Sequence, residues 1–382
     1  MTDSVATSSA STTEARVVTR VGVMGAGQLG RMLALAGIPL GLQFTFFSPE
    51  PSASAESVGD VMLGAWDDAD ALARFASSVD VVTYEFENVL LSAADQVERF
   101  CPLWPPRRAL MVTQDRLREK EMFHSLGIPV APYGAVNSLV DLRSAVERIG
   151  APGILKSCRF GYDGKGQARI NQTADIDTAW SELGGVPLIY EGLVRFEREL
   201  SVIAVRGADG TKLVYPLVQN RHRDGILRYS EAPAPGLDDA RRETAELYAN
   251  RLLDALEYVG VFALELFDTP TGLIANEMAP RVHNSGHWTI EGAETSQFEN
   301  HVRAICGLPL GVCAPVGHSA MINVIGTHPD IVRVLAVPNA HVHMYGKSER
   351  PGRKLGHFTI RSSTTQELRD NVAALGAVAP IL

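Results

Sequence analysis

Two glutamates on the arms of a predicted hairpin are the first residues in this sequence that could do chemistry. Residues 261–278 alternate as two strands around a Pro/Gly turn at 268–272. Because side chains repeat every two residues along a strand, Glu265 should face Ala275, with Glu277 one diagonal step away, roughly 7–8 Å off on the same face. Two converging carboxylates repel each other unless a cation or a proton lies between them. The hairpin therefore predicts a Mg²⁺ site that nucleotide phosphates would complete.

A dense run of polar residues follows the second strand directly, at 281–287 (RVHNSGH). Donors in such a run would lie beside the proposed metal and could hold an anion there. The alternative is a surface hairpin whose two glutamates are solvated, and the strand spacing alone leaves that alternative open. The polar run favours a site.

A glycine-rich turn near the N-terminus is a second candidate. An apolar strand at 17–24 runs into GAGQLG at 25–30, a helix follows at 31–36, and a second strand at 43–48 ends near Glu50. This is the strand–turn–helix context of a dinucleotide-binding fingerprint, with an acidic residue about 20 positions further on. The glycines would let a helix N-terminus approach a phosphate closely, or they would serve tight packing with no ligand.

Carboxylates also follow a buried strand at 79–84, as Glu85 and Glu87. The carboxyl ends of strands in open α/β sheets are where ligands bind, although a polar loop with a helix N-cap would use the same residue types. A charged amphipathic helix follows at 114–126, and its Gly/Pro-rich end at 127–132 predicts a domain boundary.

The next unit of the chain carries lysines and a glycine-rich loop. Lys156 lies on a predicted strand at 153–157, and the loop FGYDGKGQ follows at 160–167. A flexible backbone and two cations suit the oxygens of a triphosphate, but the spacing is not that of a Walker loop, and a solvated turn is the alternative. A strand at 187–190 then ends in EGLV at 191–194, which could form a ribose and adenine hinge.

A basic loop lies near the C-terminus, at 345–357, between two predicted strands. An anion pocket in an otherwise acidic protein would explain its cations, and a solvated loop is the alternative. Upstream, a strand at 214–219 leads into a polar turn at 220–225, and a long helix at 238–258 precedes the hairpin. The basic loop has four cations within eight residues: Lys347, Arg350, Arg353 and Lys354.

Composition argues against several classes of protein. The 382 residues suggest two or three domains of roughly 150 residues each. A net charge of −9, from 35 basic and 44 acidic residues, disfavours a general nucleic-acid binder. No apolar run reaches the roughly 18 residues of a membrane span, and the segment 1–16 lacks the apolar centre of a secretory signal, which indicates a disordered tail. The 4 cysteines have no CxxC spacing and are typical of reduced cytosolic thiols rather than a zinc site.

Five segments together resemble the ATP-grasp superfamily and, within it, the purine-biosynthetic N5-carboxyaminoimidazole ribonucleotide synthetases: GQLGRM, FGYDGKGQ, RDGILR, NEMAPRVHNSGHW and RPGRKLGH. The resemblance runs from about residue 17 to the C-terminus. It implies a mixed α/β and α+β fold of ATP-grasp architecture. Its predicted parts are a disordered tail at 1–16, an N-terminal Rossmann-like domain at 17–130, a small lid domain at 131–200, and a C-terminal domain at 201–382 that includes a small β-rich tail subdomain.

The resemblance also implies an activity, the ATP-dependent carboxylation of 5-aminoimidazole ribonucleotide (AIR) with bicarbonate by way of carboxyphosphate. ATP would be a co-substrate, and Mg²⁺, or Mn²⁺ in its place, would be the cofactor. The family further implies a cytoplasmic homodimer whose partners are these small molecules, with no nucleic acid and no membrane.

Individual residues acquire implied roles from the family's motifs. Glu265 and Glu277 would hold the metal. A pocket for bicarbonate and carboxyphosphate would be lined by Arg281, His283 and Asn284. ATP would be bound by Arg116, Lys156, Gly161, Tyr162, Asp163, Gly164, Lys165, Gly166, Gln167, Glu191, Gly192, Leu193, Val194, Glu199, His222, Asn276 and Glu277. The phosphate of AIR would meet Gln28, Lys347, Arg353 and Lys354, and its aminoimidazole would lie near Tyr162, Asp163 and one of Glu85 and Glu87.

Three competing functions explain less of the sequence. An NAD-dependent dehydrogenase would use the first glycine turn and Glu50, but it leaves the carboxylate pair and both cationic loops without a role. A formate-dependent glycinamide ribonucleotide transformylase is a nearer relative, and the segments VHNSGH and RPGRKLGH disfavour it. A non-catalytic nucleotide-binding regulator is disfavoured because the acidic and basic residues of the predicted site are intact.

Overall fold

Three β-sheets form the frame of the chain in its computed structural model, which describes residues 18–161 and 166–376. The predicted tail at 1–16 lies outside the described residues. So does the tip of the glycine-rich loop, Tyr162, Asp163, Gly164 and Lys165.

The first sheet is built from β1 (Arg20–Met24), β2 (Gln43–Ser48), β3 (Asp60–Leu63) and β4 (Val81–Tyr84). These strands are parallel, in the order β3-β2-β1-β4. The side chains of β1 and β4 are almost all buried, as expected for parallel strands covered on both faces. The accompanying helices are α1 (Gln28–Gly37), α2 (Ala53–Glu56), α3 (Ala69–Ser77), α4 (Leu91–Glu98) and α5 (Arg107–Thr113), with a 3-10 turn at Ile38–Leu40.

The predicted strand at 43–48 is confirmed, whereas the strand predicted at 17–24 begins only at Arg20. A side chain caps this start. The carboxylate of Asp80 accepts the backbone N–H groups of Thr19 at 3.1 Å and Arg20 at 2.9 Å. The neighbouring strand is bonded there as well, because Gln43 N of β2 donates to Thr19 O at 2.9 Å.

The second sheet is built from β5 (Tyr133–Val136), β6 (Gly153–Ser157), β7 (Gln167–Ile170) and β8 (Leu188–Gly192). Its order is β5-β8-β6-β7, and neighbouring strands are antiparallel. The strand predicted at 153–157 is confirmed. The strand predicted at 187–190 has different bounds, because Glu191 and Gly192 also belong to β8, where Glu191 pairs with Tyr133 on one side and Ile154 on the other. The nucleotide hinge at 191–194 stays a prediction. The neighbouring helices are α6 (Arg116–Ser125), α7 (Leu139–Ile149) and α8 (Ile176–Leu183), with a 3-10 turn at Thr173–Asp175.

The third and largest sheet is antiparallel. Its strands are β9 (Arg198–Arg206), β10 (Lys212–Val214), β11 (Val218–Arg223), β12 (Ile226–Ala232), β13 (Gly260–Thr269), β14 (Gly272–Ala279), β15 (His318–Ile325), β16 (Ala340–Met344) and β17 (Lys354–Ser362). They follow the order β14-β13-β9-β11-β12-β15-β17-β16, with β10 added to β9. The remaining helices are α9 (Asp239–Ala255), α10 (Thr289–Gly292), α11 (Gln297–Ile305), α12 (Ile331–Leu335) and α13 (Thr365–Gly376), with a 3-10 turn at Asn284–Gly286. None of the described helices combines the length and apolar character needed to cross a membrane.

Two predicted elements of this sheet have different bounds in the structure. The strand predicted at 214–219 is split into β10 and β11, with Pro216 between them, and a proline has no N–H to donate to a strand pair. The polar turn predicted at 220–225 is shorter than expected. β11 continues to Arg223, and only Asp224 and Gly225 form the turn, with φ of 53° and 73°, as in the tight hairpin turns that match strand twist.

The first and third sheets share one apolar core, in which α1 packs against α11. A buried histidine of α11 joins the two sheets. His301 Nε2 lies 2.9 Å from Thr83 Oγ1 on β4, and its Nδ1 accepts the backbone N–H of Val261 on β13 at 3.0 Å. With Nδ1 as an acceptor, Nε2 carries the proton and donates to Thr83. The contact therefore requires a neutral imidazole.

We expect the substitution His301→Asn to make the fold less sensitive to acid. Burial lowers the pKa of His301 to about 3, whereas an unfolded histidine titrates near pH ~6.5. Below that pH the unfolded chain binds a proton that the folded chain does not, so the group costs about 1.4 kcal/mol of stability for each pH unit of acidification.

Urea unfolding across the range from neutral pH to about pH 4.5 provides the measurement. The variant should be less stable than the unmodified chain at neutral pH, yet its stability should decline less steeply in acid. Other buried histidines contribute equally to both proteins, so the difference in slope isolates His301. Equal slopes would contradict the assignment.

Candidate active site

A cavity of about 650 Å³ is lined by residues of the second and third sheets, of α1 and of the loop that follows β4 of the first sheet. This size is typical of sites for small molecules. The structure brings together most of the predicted site residues at this cavity. Those in its lining are Gln28, Glu85, Glu87, Arg116, Lys156, Gly161, Gln167, Glu199, His222, Glu265, Asn276, Glu277, Arg281, His283, Asn284 and Lys354.

Seven other predicted site residues are described by the structure but do not line this cavity: Gly166, Glu191, Gly192, Leu193, Val194, Lys347 and Arg353. Two of these residues are bonded through their main chain to other loops: Gly192 N donates to Pro132 O, and Leu193 N donates to Pro152 O. Arg353 turns back to the carbonyl and hydroxyl oxygens of Ser348.

The two glutamates of the hairpin face each other directly. Glu265 on β13 pairs with Glu277 on β14, while Leu266 pairs with Ala275. The predicted diagonal offset is therefore wrong. Its physical reason is a β-bulge, in which Asn276 is an extra residue of β14 that shifts the register by one.

The carboxyl groups of Glu265 and Glu277 have different pKa values because their surroundings differ. Burial raises the pKa of Glu265 to about 7, and the negative charge of Glu277 adds to the rise. Burial would also raise the pKa of Glu277. The positive charges of Arg116, at 3.1 Å, and Lys156 outweigh burial and lower this pKa below the usual value. Glu277 therefore carries the more stable negative charge of the pair, and a cation near both would favour ionisation of Glu265 as well.

Lys156 reaches the cavity from the second sheet with a buried carboxylate behind it. Glu191 Oε2 lies 3.0 Å from Lys156 Nζ and 3.8 Å from the buried Lys120 Nζ. Burial would raise the pKa of Glu191, but Lys120 and Lys156 hold it below the usual value. Glu191 therefore fixes the lysine that faces the cavity. Its other oxygen, Oε1, is buried with no hydrogen-bond partner among the described residues.

His222 and Glu199 form a second acidic–basic pair, on neighbouring strands β11 and β9. Their atoms Nδ1 and Oε2 are 2.5 Å apart. Burial alone would lower the pKa of His222, and the bond to Glu199 raises it above the usual value. The pair can place a fixed hydrogen-bond donor on the cavity wall.

The glycine turn after β1 holds a carboxylate of the chain itself. Glu85 accepts the backbone N–H groups of Gly27 at 2.5 Å and Gly30 at 2.7 Å. A Cβ atom at Gly25 or Gly27 would come within 2.4 Å or 2.7 Å of that side chain, so the glycines are needed for its close approach. These amides are the groups that would bind a dinucleotide pyrophosphate, and Glu50 is exposed away from them. The turn therefore serves Glu85, which disfavours the dehydrogenase interpretation.

Glu87 faces the polar run that follows β14. Its Oε2 bonds to Arg281 Nε. Burial would raise the pKa of Glu87, but this guanidinium outweighs burial and lowers the pKa to about 2. The loop that carries Glu87 is fixed by Gln114, whose amide nitrogen donates to Glu87 O at 2.8 Å and Val89 O at 2.7 Å. Glu87 and Arg281 thus link the first sheet to the third.

The polar run at 281–287 is held in place by Gln297. Its Oε1 accepts the backbone N–H of His283 at 3.0 Å, and its Nε2 donates to His283 O at 2.7 Å. Burial, with Arg281 next in effect, lowers the pKa of His283 to about 3, so the imidazole is neutral. Asn284 Nδ2 is buried and has no hydrogen-bond partner among the described residues. The run therefore presents an unsatisfied donor in the cavity wall.

The basic loop approaches the glycine turn from the other end of the chain. Lys347 Nζ bonds to Gln28 Oε1, and Lys354, at the start of β17, lines the cavity. Gln28 and the basic loop, both predicted to contact one substrate phosphate, are therefore adjacent, although Arg353 points elsewhere. Lys347 and Lys354 thus place two cations of the basic loop near the glycine turn and the cavity.

Sequence reasoning missed several residues of the cavity wall. They include Asn88, Gln114, Glu119 and Phe267. One signal was available for Glu119, because it lies three positions after Arg116 on a helix and therefore shares its face. The others carry no local signal, since they belong to different elements that only the tertiary structure brings together.

Three family models match the chain in succession. They are the ribonucleotide synthetase preATP-grasp domain at 18–114, the ATP-grasp domain at 121–298, and the phosphoribosylaminoimidazole carboxylase C-terminal domain at 319–371.

Individual relatives match over nearly the whole chain. The N5-carboxyaminoimidazole ribonucleotide synthase of Pseudomonas aeruginosa is 48% identical over 94% of this chain and 99% of its own length. The crystal structure of the corresponding synthetase from Thermus thermophilus is 53% identical, with a TM-score of 0.91 over 95% of this chain and 99% of that one. A synthase from Aspergillus clavatus, solved with ADP and 5-aminoimidazole ribonucleotide, is 33% identical, with a TM-score of 0.88 over 94% of this chain and 98% of that one.

These matches confirm the fold and the resemblance that the sequence motifs predicted. The chain belongs to the N5-carboxyaminoimidazole ribonucleotide synthase family of the ATP-grasp superfamily.

Proposed function

We propose that this chain carries out the reaction of its family, the ATP-dependent carboxylation of AIR with bicarbonate in purine biosynthesis. The products are N5-carboxyaminoimidazole ribonucleotide, ADP and phosphate. The observation that carries the proposal is one cavity that holds the facing pair Glu265 and Glu277, Lys156 from the second sheet, and the polar run at 281–287.

ATP would lie between the second and third sheets. Lys156 and Arg116 supply positive charge for its phosphates, and Glu199 and His222 supply a fixed polar pair on the opposite wall. The other proposed ATP contacts are Gly161, Gly166, Gln167, Glu191, Gly192, Leu193, Val194, Asn276 and Glu277, together with Tyr162, Asp163, Gly164 and Lys165 outside the described residues. Glu191 reaches the nucleotide mainly through Lys156, because its Oε2 bonds to that ammonium.

Glu265 and Glu277 fit a divalent cation such as Mg²⁺ or Mn²⁺. They are hard oxygen ligands that face each other, and the pKa of Glu265 is raised by burial first and by the negative charge of Glu277 second. No group of three or more His, Cys, Asp or Glu side chains in the described chain is arranged to hold a metal, so phosphate oxygens would complete the shell. When bound, the ion would neutralise charge on the phosphates during transfer.

The chemistry proceeds in two steps. A bicarbonate oxygen attacks the γ-phosphorus of ATP, the bond to the ADP oxygen breaks, and carboxyphosphate forms. The exocyclic amine of AIR then attacks the carboxyl carbon, phosphate leaves, and the amine loses a proton. Arg281 and the unsatisfied amide of Asn284 would hold the bicarbonate. The neutral His283 would line the same pocket without repelling Arg281.

AIR would bind at the end of the cavity nearest the first sheet. Gln28, Lys347, Arg353 and Lys354 would meet its phosphate, and the ring would lie near Tyr162, Asp163 and one carboxylate of the first sheet. We assign that carboxylate role to Glu87 over Glu85, because both oxygens of Glu85 are bonded to the glycine turn. We also propose a cytoplasmic homodimer with no nucleic-acid or membrane partner, in keeping with the net charge of −9.

The function is tested by ADP release from the purified chain. We expect ATP turnover that depends on AIR and bicarbonate together, with no stimulation by glycinamide ribonucleotide and formate. Stimulation by the second pair of substrates instead of the first would replace the proposed function by that of a transformylase.

We expect Glu277→Ala to reduce AIR-dependent ATP turnover by about 100-fold or more, because it removes a carboxylate of the metal site and the partner of Arg116. The melting temperature should show that the fold is retained. Glu243→Ala, an exposed glutamate on α9, is the matched control and should leave turnover unchanged. Near-normal turnover in Glu277→Ala would remove the metal assignment.

Asn284→Asp tests the bicarbonate pocket. It replaces the unsatisfied donor by a carboxylate that repels bicarbonate, so the KM for bicarbonate should rise by about tenfold or more. The KM for ATP should change much less, because ATP is proposed to contact other residues. An unchanged KM for bicarbonate, with ATP turnover measured at several bicarbonate concentrations, would place that pocket elsewhere.

A further inference from the structure

The facing glutamates depend on a β-bulge that must itself be held open. Asn276 has no opposite residue on β13, and the pairs on either side of it are Leu266 with Ala275 and Glu265 with Glu277. In a regular hairpin without the extra residue, Glu265 would face Asn276, and Glu277 would be moved to the opposite face of the sheet. The bulge therefore decides whether the two carboxylates meet.

β14 is the edge strand of the third sheet, and its outward-facing main-chain groups are bound by the segment that includes α6. Pro129 O accepts Ala275 N at 2.7 Å. Lys120 Nζ donates to Asn276 O at 2.6 Å, and Glu119 Oε1 accepts Met278 N at 2.8 Å. Arg116, on the same face of α6, bonds to Glu277 itself. One helix face thus contacts three consecutive residues of the bulged strand.

The directions of the N–H groups of Ala275 and Met278 show what α6 contributes to the bulge. In an uninterrupted strand, residues three apart present their N–H groups to opposite edges. Ala275 and Met278 both present theirs to the outer edge, because the extra residue between them reverses the alternation. Glu119 supplies the acceptor for the N–H that the bulge turned outward.

Both supporting side chains are almost completely removed from solvent, with 3% of Glu119 and 1% of Lys120 exposed. Water cannot readily replace them as partners for Met278 N and Asn276 O, and an unpaired buried polar group is costly. Loss of either side chain would therefore favour a regular register over the bulge.

We infer that Glu119 and Lys120 are positioning residues for the metal site: they hold the bulge at Asn276 and thereby keep Glu265 and Glu277 face to face. Neither residue is proposed to touch ATP or the cation. The inference deepens the proposed function and rests on it, since the purpose of the alignment is the metal that the two carboxylates are proposed to share.

The test uses the full chain and measures ADP affinity by calorimetry, with and without Mg²⁺. Glu119→Leu and Lys120→Met remove the two supports. Glu119→Gln keeps an oxygen acceptor for Met278 N. Glu121→Leu and Arg118→Met alter exposed positions of the same helix and are matched controls.

We expect the gain in ADP affinity on adding Mg²⁺ to fall by about tenfold or more in Glu119→Leu and Lys120→Met, the range for residues that orient metal ligands. Glu119→Gln and both controls should keep the gain. Hydrogen exchange at the Met278 amide should be faster in both Glu119→Leu and Lys120→Met than in the unmodified chain, because each substitution removes one support of the bulge. A full Mg²⁺-dependent gain in folded Glu119→Leu and Lys120→Met would overturn the inference.

Lys120→Met carries the test if Glu119→Leu does not fold, because methionine conserves most of the side-chain volume. Measurements on the unmodified chain distinguish failure of this inference from failure of the proposed function. If it shows no Mg²⁺-dependent gain, the proposed metal site fails. In that case the inference is decided by exchange at the Met278 amide, and a rate in Lys120→Met or Glu119→Leu equal to that of the unmodified chain overturns it.

Discussion

Two carboxylates held face to face on one hairpin are the constraint on which the rest of the site depends. Glu265 and Glu277 repel each other, and burial strengthens the repulsion, as the raised pKa of Glu265 shows. The chain offsets this cost with Arg116 at one glutamate and with three main-chain contacts along the outer edge of β14. The carboxylates therefore have a defined separation before a ligand binds, which reduces the ordering that binding must impose.

Charged side chains are fixed by hydrogen-bond partners elsewhere around the cavity as well. In each case an acidic side chain is bonded to donors of another element. Glu85 fills the glycine turn, Glu87 bonds to Arg281, and Glu191 holds Lys156. Glu191 lies behind Lys156, whereas Glu87 and Arg281 both line the cavity. The charges that would meet substrate are therefore fixed by buried partners, and buried charges require such partners to remain ionised.

Much of the fold could be predicted from local sequence. The strands at 43–48 and 153–157 have the predicted bounds, because alternation and burial of apolar residues are local properties. The motifs also identified the correct family, and most residues they implicate lie at one cavity. Local rules were less accurate where a proline interrupts a strand, as at Pro216, and where Glu191 continues β8 beyond its predicted end.

The sequence by itself determined which residue types carry the chemistry: the two glutamates, the donors after them, the glycine-rich loop and the basic loop. Only the tertiary structure decided how they meet. A one-residue bulge cannot be read from alternation, because Asn276 and Glu277 are both polar and the Lys120 that holds Asn276 lies on α6, more than 150 positions away. The glycine turn likewise matches a phosphate-binding pattern, yet its amides bind Glu85, 55 to 58 positions later. Contacts between distant segments set both outcomes, since a main-chain group bonds to whichever partner folding brings within reach.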